Sequence, residues 1–452
     1  MTKSMTEGSP VKLILQFSLP MLLGNILQQA YNMMDAAIVG RVLGADALAA
    51  VGASGSVQFL VLGFCIGTCT GFGIPMAKYF GAEQPDRLRS TVFHSYVLTG
   101  VFAVVLTVVT CLMCGNIMDI MKVSGTIYKD AYIYLFIIFT GIPFTLFYNL
   151  LAGMLRAIGD SKTPFIFLAV SAVLNIILDL TFIVIIPLGC AGAALATIIA
   201  QACSGIACFV FIQKKYSLLK LTKDICRFNA YALKELMIMG VPMGLQFSIT
   251  AIGSMFMQSA NNALEDVYVS AFAVTSKLKQ LAMCPFEAIA TGISVFSSQN
   301  LGAGSPDRVK KGIIRGTAIN AVYGIIIGVV LIFGGRTLSM MFLDSSETAV
   351  LDACGEYMKC VGFFYWALGI LFACRMSVQG IGYSDWAILS GVLEMFARIF
   401  VSRKFVPEYG FTAICYTDQA AWIVAALYCT VVCIVCVKKA SEKNIIHEKV
   451  KL

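Results

Sequence analysis

Charge is what this chain has least of: only 13% of its 452 residues are Asp, Glu, Lys or Arg, about half the share usual in soluble domains. Histidine occurs twice, as His94 and His447, which leaves little for metal or general-base chemistry. With 59% apolar residues and a mean hydropathy of +0.84, a water-soluble enzyme is excluded. No G-x-x-x-x-G-K-[ST] loop is present, and no hydrophilic stretch is long enough for a nucleotide-binding domain, so ATP is not the expected energy source. The ~10-residue alternating segments of a transmembrane barrel are missing, and the hydrophobicity is too high for disorder. A signal peptide is not expected either, because the short polar start is followed by an apolar run with no small-residue cleavage pattern. The sixteen cysteines include two C-x-x-C pairs, Cys111/Cys114 and Cys433/Cys436, but both lie in apolar helix without a nearby histidine and read as small apolar residues.

Twelve apolar stretches of membrane-spanning length take the place of what is missing: 13–40, 47–78, 91–114, 131–153, 164–187, 190–212, 235–262, 268–300, 312–334, 357–380, 385–406 and 412–437. At about 22 residues each they use more than half the chain, so the fold class expected is an all-α polytopic membrane protein. Placing the N-terminus inside puts 23 of the 33 Lys and Arg on the cytoplasmic side, seven outside and three, Lys277, Lys279 and Arg398, within the membrane. Both termini are therefore expected in the cytoplasm, with the protein in the cytoplasmic membrane. Arg375 counts as cytoplasmic on this reading, and the basic tail is expected to lie against anionic lipid.

The chain repeats itself. Gly81-Ala82-Glu83-Gln84-Pro85-Asp86-Arg87 returns as Gly302-Ala303-Gly304-Ser305-Pro306-Asp307-Arg308, at an offset of 221. Leu19-Pro20-Met21 answers Val241-Pro242-Met243, and Arg156-Ala157-Ile158-Gly159-Asp160-Ser161 answers Gln379-Gly380-Ile381-Gly382-Tyr383-Ser384, at offsets of 222 and 223. Two homologous six-helix halves follow: an N-terminal lobe at 1–212, a basic linker at 213–234, a C-terminal lobe at 235–437 and a basic tail at 438–452. Six helices per repeat give both copies the same orientation, a pattern typical of transporters with alternating access.

Few polar residues enter the spans, and each needs a partner or a purpose because a carboxylate at membrane depth costs upward of about 2.5 kcal/mol. Gln28, Tyr31, Asn32 and Asp35 fall on one stripe of helix 1; Ser171, Asn175 and Asp179 share a face of helix 5; Thr197, Gln201 and Ser204 line helix 6. Two acids with neutral oxygens suit a dehydrated sodium ion or a transferable proton. A plainer reading stays open, in which Asp179 meets helix-packing groups and Asp35 lies near the outer mouth in water.

Leu155-Arg156-Ala157-Ile158-Gly159-Asp160-Ser161-Lys162-Thr163-Pro164, Gln299-Asn300-Leu301-Gly302-Ala303-Gly304 and Gly189-Cys190-Ala191-Gly192-Ala193-Ala194-Leu195-Ala196-Thr197 resemble the loop and helix motifs of the multidrug and toxic compound extrusion (MATE) family. The resemblance covers essentially the whole chain. It implies a V-shaped pair of six-helix lobes and export of organic, often cationic, compounds in exchange for sodium ions or protons. In the similar DinF-type branch, an Asp of helix 1, an Asn and Asp four apart in helix 5 and a Thr of helix 6 form the cation or proton site. These match Asp35, Asn175, Asp179 and Thr197, which carry any sodium ion; Tyr134 matches a tyrosine nearby, and Pro20 the proline at which helix 1 bends.

The second half departs from this pattern. Met257 stands where the repeat would put Asp35, and neither helix 7 between Pro242 and Asn261 nor helix 10 between Val361 and Gln379 carries an acid, so the cation site of another branch is not available. Glu394 and Arg398, four apart in helix 11, read as a structural ion pair, and Glu287 is a cavity residue that could meet Lys277 or Lys279. A substrate cavity is expected at Gln28, Asn32, Gln246, Met257 and Glu287, aided by Phe247, Met255, Met283, Phe286 and Phe364. Gly63, Gly67 and Gly71 are expected to let helices approach closely. The expected function is a monomeric antiporter for small organic molecules, with no cofactor beyond H+ or Na+ and with no nucleic acid or nucleotide partner. A flippase for a lipid-linked precursor is the alternative, which few bases at cavity depth disfavour. A membrane-embedded enzyme lacks a catalytic cluster, and a channel fits the repeat with its single off-axis acid cluster less well.

Overall fold

The computed structural model describes residues 4–120, 123, 125–222 and 227–451. Lys122, the middle of the linker at 223–226 and the side chains of the tail from 443 onward lie outside the described residues. Thirteen helices and no strand are found among them: α1 Pro10–Leu43, α2 Ala45–Gly81, α3 Pro85–Ile120, α4 Gly125–Thr140, α5 Ile142–Ala157, α6 Lys162–Asp179, α7 Cys190–Lys215, α8 Ala230–Asn261, α9 Asp266–Gly302, α10 Pro306–Ser339, α11 Thr348–Gly380, α12 Ser384–Lys404 and α13 Val406–Lys451. Ten are long and apolar enough to cross a membrane among the described residues. Their outward faces are as apolar as their cores, with Leu112 80% and Phe333 84% exposed, as hydrocarbon around a protein requires.

The fourth expected span, 131–153, is broken. α4 and α5 meet at a 46° bend and count together as one further span. Gly141 and Pro143, the second residue of α5, mark the break, where proline can neither donate its hydrogen bond nor clear the carbonyl four residues back. α12, with Glu394 and Arg398 inside it, falls outside the apolar set and is the twelfth segment.

The chain divides into two compact units, one of Met1–Ser4 with Leu23–Gly244, the other of Met5–Leu22 with Leu245–Leu452. The expected lobe boundaries lay at either end of the linker; the division instead falls within α1 and α8, just after Pro20 and Pro242. Close contacts explain the assignment. In unit 1, a Cβ on Gly71 would meet the Met239 carbonyl oxygen at 2.6 Å, and one on Gly240 would meet Phe72 at 2.4 Å. In unit 2, a Cβ on Gly292 would meet Ser18 Oγ at 2.6 Å. The start of α8 is further held to unit 1 by Glu235, which accepts from Tyr79 Oη at 2.5 Å and Lys78 Nζ at 3.4 Å, and by Asn229 N–H, which donates to His94 Nε2 at 2.8 Å. Since His94 Nδ1 lies 2.7 Å from the Ser90 carbonyl, which only accepts, the ring is the neutral Nδ1–H tautomer.

The repeat carries through to backbone detail. α2 and α9 are both 37 residues long. Gly159 (φ 83) is matched by Gly382 (φ 97), Gly189 (φ 61) by Gly410 (φ 55), and Gly304 (φ 69) by Glu83 (φ 54), the one non-glycine with positive φ. Asp160, in the loop motif, organises the start of α6: its carboxylate accepts from Lys162 N at 3.1 Å, Thr163 N at 3.0 Å and Thr163 Oγ1 at 2.6 Å, and from the Tyr216 hydroxyl. Burial, and then the Asp160 carboxylate, push the Tyr216 phenol up to about 12, so it stays a donor.

Candidate cation-coupling site

Four helices of unit 1, α1, α4, α6 and α7, deliver the expected residues to one place. Asp179 ends α6 and is fully buried; Asn175, one turn earlier, is 2% exposed, and Tyr134 of α4 is 4% exposed. The helix does not stop at Asp179 but continues as a π-turn over Leu180–Ile185, a wide turn that recurs at functional sites. α7 comes close because it begins at Gly189 (φ 61) and carries Gly192, where a Cβ would lie 2.9 Å from the Phe182 carbonyl. That approach brings Thr197 to Asn175.

Asp35 and Asp179 lie within interaction range of each other, and two carboxylates held side by side repel unless a proton or a cation lies between them. Asn175 Nδ2 lies 3.5 Å from Thr197 Oγ1. With the amide turned about, its nitrogen donates to Asp179 Oδ2 at 3.3 Å and its oxygen accepts from Thr197 N at 3.3 Å, which satisfies both atoms. One oxygen of each acid, Asp35 Oδ1 and Asp179 Oδ1, is buried with no hydrogen-bond partner among the described residues. Two carboxylates and a hydroxyl form an oxygen donor set that fits a hard monovalent cation or a proton, and the Asn175 amide holds Asp179 in place beside it. Around them lies a small apolar cluster of Val39, Ala47, Ile138, Ile183, Cys190, Ala193 and Ala194, which keeps the local dielectric low.

Two further residues belong here. Tyr31, on the helix 1 stripe, is within electrostatic reach of both acids, and Gln58 of α2 hydrogen-bonds Tyr134. Tyr31 was visible one turn before Asp35; Gln58 was visible only as a lone amide in an apolar span. Gln28 and Asn32 are exposed on α1. Gln201 accepts from Thr145 Oγ1 at 2.5 Å, and Ser204 Oγ donates to the Phe167 carbonyl at 3.2 Å, so these two tie helices together.

Several expectations for the second half are corrected by unit 2. Gln246 and Met257 do not line a cavity: Gln246 is 4% exposed and accepts from Gln379 Nε2 at 2.5 Å, and Met257 and Phe286 lie in the apolar core. Glu287 is exposed on α9, but Lys279 bonds Asp418 and Lys277 lies over the Phe342 ring. Arg375, counted as a cytoplasmic charge, is buried in α11 and paired with Glu394. Glu394 and Arg398 do pair, at 3.4 Å, within a longer chain that also holds Arg375, Asp418 and Lys279. Asp418 escaped notice although Thr417 and Gln419 flank it, because α13 gives no local clue to the bases opposite.

One family model, MatE, matches the chain twice, over residues 20–181 and 242–402. The chain belongs to the MATE family of membrane transporters. The doubled match coincides with the repeat. Among curated relatives, the probable multidrug resistance protein YpnP of Bacillus subtilis is 30% identical over 83% of this chain and 84% of its own length, and YoeA of the same organism is 30% identical over 74% and 73%. A crystal structure of MATE in complex with MaL6 superimposes with a TM-score of 0.90 at 19% identity, covering 98% of this chain and all of that one, so the MATE fold holds at low sequence identity.

Proposed function

We propose that this MATE transporter is a secondary antiporter of the cytoplasmic membrane, with both termini inside, that exports organic, cationic and amphipathic compounds in exchange for H+ or Na+. The observation that carries the reading is the closeness of Asp35 and Asp179, with one buried, unpartnered oxygen on each acid. Two relatives bear multidrug resistance names, which supports the substrate class. Protonation neutralises the pair and lets α1 move relative to α6. Loss of the proton leaves two charges that repel unless a cation enters, with the Thr197 hydroxyl supplying a neutral oxygen. Pro20 gives α1 a turn without its full hydrogen bonding, where bending costs least.

Proteoliposomes loaded with a fluorescent cationic dye test this under an imposed sodium gradient, an imposed proton gradient, or neither. Gradient-driven efflux, reduced at least about 100-fold in Asp35→Asn and Asp179→Asn, is expected, since each variant removes one ionisable group of the couple. Full transport by either variant, folded and at normal level, refutes the coupling role. Dye retention under both gradients, with the protein folded, turns the substrate reading toward lipid precursors.

A further inference from the structure

Unit 2 holds a chain of charges that the Asp35/Asp179 couple does not use. Arg375 donates to Glu394; Arg398 Nη2 reaches Glu394 Oε2 at 3.4 Å and its Nε reaches Asp418 Oδ1 at 2.9 Å; Lys279 donates to Asp418 Oδ2. Arg375, Glu394, Arg398 and Asp418 are all at most 7% exposed. Three bases face two acids, and an uncompensated charge in a low-dielectric interior costs several kcal/mol. Each of the four carboxylate oxygens already accepts one of these bonds, and none of them reaches the remaining nitrogen of Arg398. That nitrogen, Arg398 Nη1, is buried without a hydrogen-bond partner among the described residues. One turn further along α12, Ser402 Oγ is unpartnered too. α8 runs against α12 here, for a Cβ on Gly253 would meet Met395 Cα at 2.9 Å and Arg398 Cδ at 3.4 Å.

We propose that Arg398 Nη1 and the Ser402 hydroxyl bind a small inorganic anion of the halide type, chloride, at the seam of α8 and α12. Every unpartnered group named can donate, and one of them carries the excess charge. A spherical ion accepts donors from any direction, so it needs no fixed fork geometry from the two groups. The anion completes the charge balance of unit 2, and its binding stabilises the folded state by mass action.

The purified full-length transporter is exchanged from chloride into gluconate at constant ionic strength, sodium concentration and pH, and its thermal unfolding is followed. The wild type is expected to gain roughly 2–5 °C with saturating chloride, and bromide-grown crystals are expected to show anomalous density beside Arg398. Ser402→Asp places a carboxylate one turn from Arg398 and is expected to equal the chloride-bound wild type in gluconate, with no further response to chloride. Equal wild-type stability in both salts overturns the proposal. So does a chloride response undiminished in Ser402→Asp, or bromide density found only elsewhere; the bromide measurement decides the matter without any variant.

Discussion

A single backbone angle shows how the repeat constrains individual residues. Glu83 holds φ 54 at the position where the second copy has Gly304, and left-handed backbone costs a residue with a Cβ roughly 1–2 kcal/mol. Glycine there gives back part of that gain through a more flexible unfolded chain. Glu83→Gly is therefore expected to raise the apparent Tm by about 1–3 °C, and Gly304→Ala to lower it by a similar amount; a Glu83→Gly protein that melts earlier contradicts this account. The coupling acids are also a residue-scale matter. Asp35 and Asp179 were legible as lone acids on polar stripes, whereas the role of Gln58 was not, because a hydrogen bond to Tyr134 is a fact about two helices far apart in the chain.

At the scale of elements, small residues decide how closely helices pass. Gly328 and Gly362 put α10 and α11 backbone against backbone: a Cβ on Gly362 would lie 2.5 Å from the Gly328 carbonyl oxygen, and one on Gly328 would lie 2.4 Å from that of Gly362. A side chain there meets rigid backbone first, and at Gly362 also Ile332 Cγ1 at 2.7 Å. Gly362→Val is expected to destabilise by roughly 2–3 kcal/mol, read as a lower midpoint in denaturant, whereas Gly100→Ala on α3, with nothing within 4 Å, is expected to leave it unchanged. Equal midpoints for Gly362→Val and the wild type would show that the helices separate freely. The same reasoning accounts for Gly71, which meets α8; the spacing of Gly63, Gly67 and Gly71 announced a close approach, but not which helix approaches.

For the whole molecule, the question is how each unit holds its parts. The Gln299-Asn300 motif clamps the start of the chain into unit 2: Met5 N–H donates to Gln299 Oε1 at 2.9 Å, Asn300 Nδ2 donates to the Met5 carbonyl at 3.1 Å, and Arg308 donates to Asn300 Oδ1 at 2.8 Å and the Gly8 carbonyl at 3.0 Å. Hydrogen bonds from a charged donor contribute about 1.5–3 kcal/mol, so Arg308→Leu is expected to speed limited proteolysis between residues 5 and 9 about tenfold or more, mapped by mass spectrometry of the released peptide. Arg336→Leu, which removes an exposed pair with Asp352, serves as the comparison and is expected to change nothing at that site. Unaltered cleavage in Arg308→Leu would mean that the clamp does not hold the segment.

Sequence alone determined the class of molecule, the duplication and the short list of acids that need a purpose, because hydropathy, period and repeat offset are properties of the chain itself. Helical spacing also put Asp35 on one polar stripe, Asn175 with Asp179 on a second and Thr197 on a third, and the family resemblance joined them into one constellation. Tertiary structure alone decided partners. Apolar residues serve lipid and core equally, so Phe333 (84% exposed) and Phe286 (fully buried) are indistinguishable in the sequence. The division of α1 and α8 between the two units, the pairing of Lys279 with Asp418 and the burial of Arg375 depend on which helices lie side by side. Helical periodicity specifies the direction in which a side chain points, but not the neighbour that stands there.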